Sequence, residues 1–402
     1  MRQTVFKETM LHLIRNTKNR LAIGLVFLAV IFYSFFMLPQ QQSFDTIDYN
    51  KLEIDLFAHK GIMEDSIEKG NFRVNSFTGQ SAYSQAKYNY DNQHALISAI
   101  NNGDADRYIS IISRYTPQFH VEDRMDSYIE SSLYPGKDLT YDSTNFISRI
   151  ASYTDNDVPL TFSIIQEKTS WQQLQLFFLE WGPLLLVALT LFIASDVFTE
   201  SIKKRTQRIG VPLGWGQYLF IQSLAILSFV TLFLLAAGLL FFTVNGLLNG
   251  FGDLNWSVSQ FNYSDSYVTD TTVYGLMSLK DFFIQTLPFI AILLYLFVRL
   301  STLFSLIFRQ EVVVFLAGIF TFLFERLYFS RTPRDLFGLD ISCFPQTYFN
   351  FGKVINGHQN FLINTGTITV EKGLISLVVT VLAVEVILAF VTRQRSRQTF
   401  IG

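Results

Sequence analysis

Apolar residues dominate six stretches of the chain, and polar segments separate them. The first is uncharged over residues 21–38, from Leu21 to Leu38, and the others lie at 177–198, 218–244, 282–308, 312–327 and 374–391. About 20 residues of helix cross the hydrocarbon core, and a helix is one of two backbone forms that satisfy all their own hydrogen bonds there. The pattern predicts an all-α polytopic membrane protein with six transmembrane helices. Residues 1–20 read differently. Phe6, Met10, Leu13 and Ile14 recur at helical spacing among Arg2, Lys7, Arg15, Lys18 and Arg20, with Glu8 the lone acid. This is the pattern of an amphipathic helix lying on the inner membrane surface. The first span has no Ala-x-Ala cleavage site and is read as a retained helix.

The polar segments set the orientation. Basic residues accumulate on the cytosolic side of a membrane. They fill residues 1–20, the segment 199–217 (Lys203, Lys204, Arg205, Arg208) and the tail 392–402 (Arg393, Arg395, Arg397). Both termini are therefore expected in the cytosol, and six crossings agree with that. The acidic segments fall outside. Residues 41–170 hold 11 Lys and Arg against 19 Asp and Glu and contain no run long enough to span. They predict a mainly helical extracellular domain, with helices on both sides of the breaker Asn101-Asn102-Gly103-Asp104. An extracellular loop at 245–281 carries Asp253, Asp265, Asp270 and Asp281 against Lys280. A further extracellular segment at 328–372 is punctuated by Pro333, Pro345, Gly352 and Gly357. Its aromatic run from Phe344 to Phe351 is too short to span and suits a re-entrant half-helix.

Composition sharpens the class. The 402 residues are 50% hydrophobic and only 16% charged, where soluble domains carry about 25% charge. Net charge is −2, so the total says nothing about nucleic acid, and none is expected as a partner. The single cysteine, Cys343, excludes an intramolecular disulfide framework.

Catalytic chemistry is not written in the chain. There is no G-x-x-x-x-G-K-[ST], G-x-S-x-G or H-E-x-x-H motif. His59, His94 and His120 lie among carboxylates without metal-ligand spacing and are read as surface residues. Intramembrane acids are the remaining candidates. Glu180 and Glu325 fall near the outer ends of their runs, where interfacial solvation is expected. Glu385 lies deep in the sixth run and must face the protein interior, a water path or a cation; Arg299, in the inner half of the fourth, is a candidate partner. Gly246-x-x-x-Gly250 has the spacing of a helix-packing motif.

The layout resembles the permease subunit of type-2 ABC exporters. The residues that carry the resemblance are Ser195 to Arg205 with Leu213-Gly214-Trp215-Gly216-Gln217-Tyr218, and Arg299 to Glu311. The resemblance implies an ATPase-coupling elbow at 199–217, in which Glu200, Lys203, Lys204, Arg205 and Arg208 receive the push of a separate ATPase dimer. It implies that ATP and Mg are bound by that partner, with no cofactor in this chain, and that a second permease chain, identical or related, completes the pathway. It also implies a multi-pass protein of a bacterial plasma membrane. The glycine usual just after the charged Glu is absent, so the resemblance places the coupling contact only to within a turn or two. A membrane receptor with an extracellular ligand-binding domain and an ion-coupled carrier using Glu385 are the competing readings. A cytosolic tail of eleven residues disfavours the receptor, and the lack of inverted repeats disfavours the carrier.

Overall fold

The computed structural model describes residues 1–40, 47–76, 79–115, 139–154, 159–203, 213–264, 274–328 and 335–394. It is mostly helical and divides into two compact units. One holds Met1–Pro39, Ser131–Gly136 and Ser170–Gly402; the other holds Gln40–Glu130 and Lys137–Thr169.

The chain begins with α1 (Arg2–Arg15) and α2 (Thr17–Phe32), the latter extended by a π turn, Tyr33–Met37, to Gln40. The corner between them is built by side chains. Asn16 Oδ1 accepts from the Lys18 N–H at 3.0 Å, capping α2, and the buried Asn19 donates to the Leu13 carbonyl at 3.1 Å. The stripe that α1 buries is Val5–Thr9–Leu13. It is offset from the expected face, because α1 packs on the protein through this stripe.

The second unit contains α3 (Tyr49–Glu68), α4 (Ala82–Asn101), α5 (Ala105–Ile112), α6 (Leu139–Thr154) and the short α7 (Phe162–Ile165). Asp48, Ser81 and Asp104 cap three of these helices with their side chains. Gly103, at φ +69°, makes the turn that the breaker sequence predicts. Leu96, Ile109, Ile112, Ile150 and Tyr153 fill the core. Arg149 and Glu167 pair inside it at 2.8 Å.

The first unit continues with α8 (Ser170–Leu179), α9 (Gly182–Lys203), α10 (Trp215–Asn249), the hairpin β1 (Ser257–Phe261) and β2 (Tyr274–Ser278), α11 (Leu279–Phe308), α12 (Glu311–Leu323) and α13 (Glu325–Tyr328). A two-residue pair, β3 (Asp335–Leu336) and β4 (Leu339–Asp340), leads into two 3-10 turns, α14 (Phe351–Ile355), α15 (His358–Ile363) and α16 (Val370–Gln394). Among the described residues, five helices are long and apolar enough to cross a membrane: Thr17–Gln40, Gly182–Thr199, Trp215–Asn249, Leu279–Phe308 and Val370–Gln394. This is compatible with a multi-pass membrane protein.

Several boundaries move. The second run does not start at Phe177: α8 ends at Leu179, and a new helix begins at Gly182. Pro183 dictates this: it has no N–H to donate to the Leu179 carbonyl and its ring crowds that carbonyl, so the old helix cannot run through it, whereas proline is tolerated in the first turn of a new one. The third helix reaches 35 residues and already includes Trp215 to Gln217 of the expected elbow. Gly250, at φ +90°, ends that helix, and the Phe251 ring folds back over Gly246. The Gly246/Gly250 pair is therefore a helix stop and not a packing seam between spans. The fifth run breaks at Phe324 and leaves a helix of 13 residues, about 20 Å long, short of the ~30 Å core. The small hairpin in the 245–281 loop is a strand element that the helical pattern did not predict.

The aromatic segment before α16 forms a plug against the bundle. Tyr348, Phe349, Phe351 and Val354 are buried, and Phe349 stacks on Phe322 with centroids 5.6 Å apart. Gly352 brings α14 onto the backbone of α8. A Cβ at this position would stand 2.7 Å from Leu179 Cα and closer still to the Phe178 carbonyl oxygen. Backbone cannot rotate away, so Gly352→Ala is expected to cost about 2–3 kcal/mol. A thermal melt in detergent tests this. Gly24→Ala, whose Cβ meets nothing within 4 Å, is the control expected to show no loss.

Candidate functional site

Arg299 and Glu385 meet inside the first unit. Arg299 Nε donates to Glu385 Oε1 at 2.5 Å, and the Arg299 NH2 nitrogen donates to Oε2 at 2.7 Å. The guanidinium is planar and offers a fork that matches a carboxylate, so the two side chains close a two-pronged ion pair. Tyr295 adds its hydroxyl to Glu385 Oε1 at 2.8 Å. The remaining arm of Arg299 donates to Ser223 Oγ at 3.0 Å, and Ser223 shares a hydrogen bond with Thr302 at 3.2 Å. Tyr295, Arg299 and Thr302 recur at i, i+4 and i+7, on one face of α11. One network thus ties α10, α11 and α16. Arg299 is 5% exposed, and 31% of the Glu385 side chain remains accessible. That residual access comes from an open cleft of about 1220 Å³ lined by α1, α10, α11 and α16, with Arg299, Thr302 and Glu385 on its wall.

A second polar contact joins α1 and α2 to α9. Asn16 Nδ2 donates to Asp196 Oδ2 at 2.7 Å. Lys18 Nζ donates to the Phe192 carbonyl at 2.8 Å, stands 3.6 Å from Asp196 and lies 4.3 Å over the Phe192 ring. The amphipathic N-terminus is thereby held to the helix that leads into the basic elbow. Of the elbow's predicted residues, Glu200 and Lys203 lie in the last turn of α9, with side chains outside those described. Lys204, Arg205 and Arg208 fall outside the described residues altogether.

A third cluster lies at the plug. Glu325 is 1% exposed, which corrects the expectation of interfacial solvation. The break after α12 turns its carboxylate inward, where it accepts from Asn350 Nδ2 at 2.6 Å and Gln359 Nε2 at 2.5 Å. Glu325 lies past the end of α12, outside the apolar helices. Burial pushes its carboxyl up to about 8, although the two amides and the charges of Lys353 and Arg326 pull the other way. Burial likewise lowers Lys353, against the pull of Glu180 and Glu325.

Sequence reasoning named Arg299 and Glu385. It missed Tyr295, Ser223, Asn350 and Gln359 as partners. The i, i+4 spacing of Tyr295 and Arg299 was the available signal for the first. The amides of Asn350 and Gln359 sit in a segment without helical periodicity and carried none. Among the described residues, no group of three or more His, Cys, Asp or Glu could hold a metal ion. Comparison with protein-family models, with curated proteins and with solved structures found nothing that matches the chain.

Proposed function

We propose that the chain is the membrane-spanning permease subunit of an ATP-driven exporter of the type-2 ABC class, moving a peptide, lipid-linked or amphiphilic substrate outward. In this reading it is not itself an enzyme. A separate ATPase dimer binds ATP and Mg and supplies the energy, a second permease chain completes the pathway, and the assembly sits in a bacterial plasma membrane.

The observation that carries the proposal is the construction around α9. This helix runs without a break from Gly182 to Lys203, about 33 Å, and passes from the apolar region straight into the basic elbow. Near the elbow end its Asp196 is held by Asn16 and Lys18. Along its length α9 packs on α11 and α12. A push on the elbow therefore meets a rigid rod. The rod moves α11, and α11 carries the Arg299 link to α10 and α16. Packed helices pass such a displacement on as a shift of discrete elements, because close-packed interiors deform little.

Co-purification with an ATPase whose turnover depends on this chain is the expected result. Substituting Lys203, Lys204 and Arg205 by Ala is expected to lower transport at least tenfold, while the chain still folds and inserts. The measurement is transport against ATPase turnover in the reconstituted complex. Unchanged transport in that variant would show that the elbow side chains do not couple.

A further inference from the structure

The cleft beside the Arg299–Glu385 pair has features that the ion pair itself does not use. Its volume of about 1220 Å³ exceeds the roughly 300–1,000 Å³ usual for small-molecule pockets. Phe220 and Leu224 line one wall and are 41% and 36% exposed. Phe6 and Leu388 extend this apolar lining on α1 and α16. Arg2 and Arg393 also line it, one from α1 and one from the last turn of α16, and neither forms an ion pair among the described residues. Arg299 and Glu385 cancel one another, so the cleft carries unbalanced positive charge. The start of α10 also faces in through Trp215, Gly216 and Gln217. Its N-cap is Gly214, which has no side chain to cap it, so the positive end of a 35-residue helix adds to the field. Both arginines belong to the basic segments that the charge pattern puts at the inner membrane surface.

We propose that this cleft binds an anionic phospholipid of the inner leaflet. The phosphate lies between Arg2, Arg393 and the first turn of α10, and one acyl chain lies along Phe220, Leu224 and Leu388. Three features combine in this occupant: an anion for two cations that form no ion pair among the described residues, an apolar tail for the exposed wall, and a position at the membrane surface. A soluble anion would leave the apolar wall bare. A neutral lipid would leave the arginines without a counter-charge. The inference does not require the exporter reading, because binding is measured on this chain alone.

The test uses the full chain in a neutral detergent and native mass spectrometry. The protein is mixed with equal amounts of dioleoyl-phosphatidylglycerol and dioleoyl-phosphatidylcholine. A cation near a membrane surface changes anionic-lipid binding by about fivefold. The wild-type chain is therefore expected to retain the anionic lipid roughly twentyfold over the neutral one, and R2Q/R393Q to bring the ratio close to one. K7Q/R15Q removes two exposed cations of α1 that do not line the cleft, and it should leave the preference unchanged. Leu224→Trp fills the wall and should expel the lipid without altering helix content by circular dichroism. Equal retention of both lipids by the wild type would overturn the proposal, as would an equal loss in K7Q/R15Q. Displacement of the lipid by millimolar inorganic phosphate would overturn the acyl-chain part.

Discussion

Glu385→Leu is expected to destabilise the chain by about 3 kcal/mol, the lower end of the cost of breaking a buried ion pair. The cost arises on the partner. Arg299 is 5% exposed, always charged, and loses both carboxylate oxygens at once. Ser223 can hold only one of its arms. The lower end applies because 31% of the Glu385 side chain is accessible from the cleft, and water there softens the loss. Removing both charges is a different experiment. R299M/E385L leaves no buried ion and restores apolar packing among α10, α11 and α16, so its stability is expected within about 1 kcal/mol of wild type. Thermal melts of the three proteins in one detergent decide the matter. A single variant that melts with the wild type would show that the pair does not hold the three helices together.

The second large effect belongs to Glu325. Glu325→Leu leaves the buried amides of Asn350 and Gln359 without an acceptor. Each orphaned donor costs about 1–3 kcal/mol, so the sum is roughly 2–5 kcal/mol. Glu325→Gln is expected to cost about 1 kcal/mol or less. Gln359 Oε1 is buried without a hydrogen-bond partner, and an amide flip would let it accept from the new side chain. The wild-type protein also has a pH dependence that the Gln variant lacks. Burial raises the Glu325 carboxyl in the folded chain from 4.5 to about 8, so the folded chain holds this proton more tightly than the unfolded one. The stabilisation from Glu325 is complete below pH 4.5. It falls as pH rises from 4.5 to about 8, by up to ~1.4 kcal/mol per pH unit, and stops falling above that. The expected result is a difference in melting temperature between wild type and E325Q that moves against the wild type across this window. A difference that stays constant with pH would mean that Glu325 is ionised in the folded chain.

Both effects show what sequence can and cannot carry. Leu382-Ala383-Val384-Glu385-Val386 announces an acid in an apolar run, and lipid cannot solvate it. A partner is therefore required by physics before any fold is known, and Arg299 was the cation at a comparable depth. Glu325 gave the opposite impression, because its position near the end of a run suggests water. Its burial depends on a break at Phe324 and on a plug that folds over it from 25 and 34 residues further along the chain. The fifth helix shows the same limit. Hydropathy counts apolar residues, and residues 312–327 are apolar whether the helix stops at Leu323 or continues.

By itself the sequence determined the class of protein. Long apolar runs form helices, five of them long and apolar enough to cross a membrane among the described residues, because a helix satisfies its own backbone hydrogen bonds without water. It also determined the division between an acidic polar segment and the apolar remainder, and the presence of a buried charge in need of a partner. Only the tertiary structure decided which side chains meet: Asp196 with Asn16 and Lys18, Arg299 with Ser223, and Glu325 with Asn350 and Gln359. It alone decided that α1 leans on the protein through Val5, Thr9 and Leu13, and that a cleft remains between α10 and α16. These contacts join residues up to 180 positions apart, and local periodicity carries no term for a partner so distant along the chain.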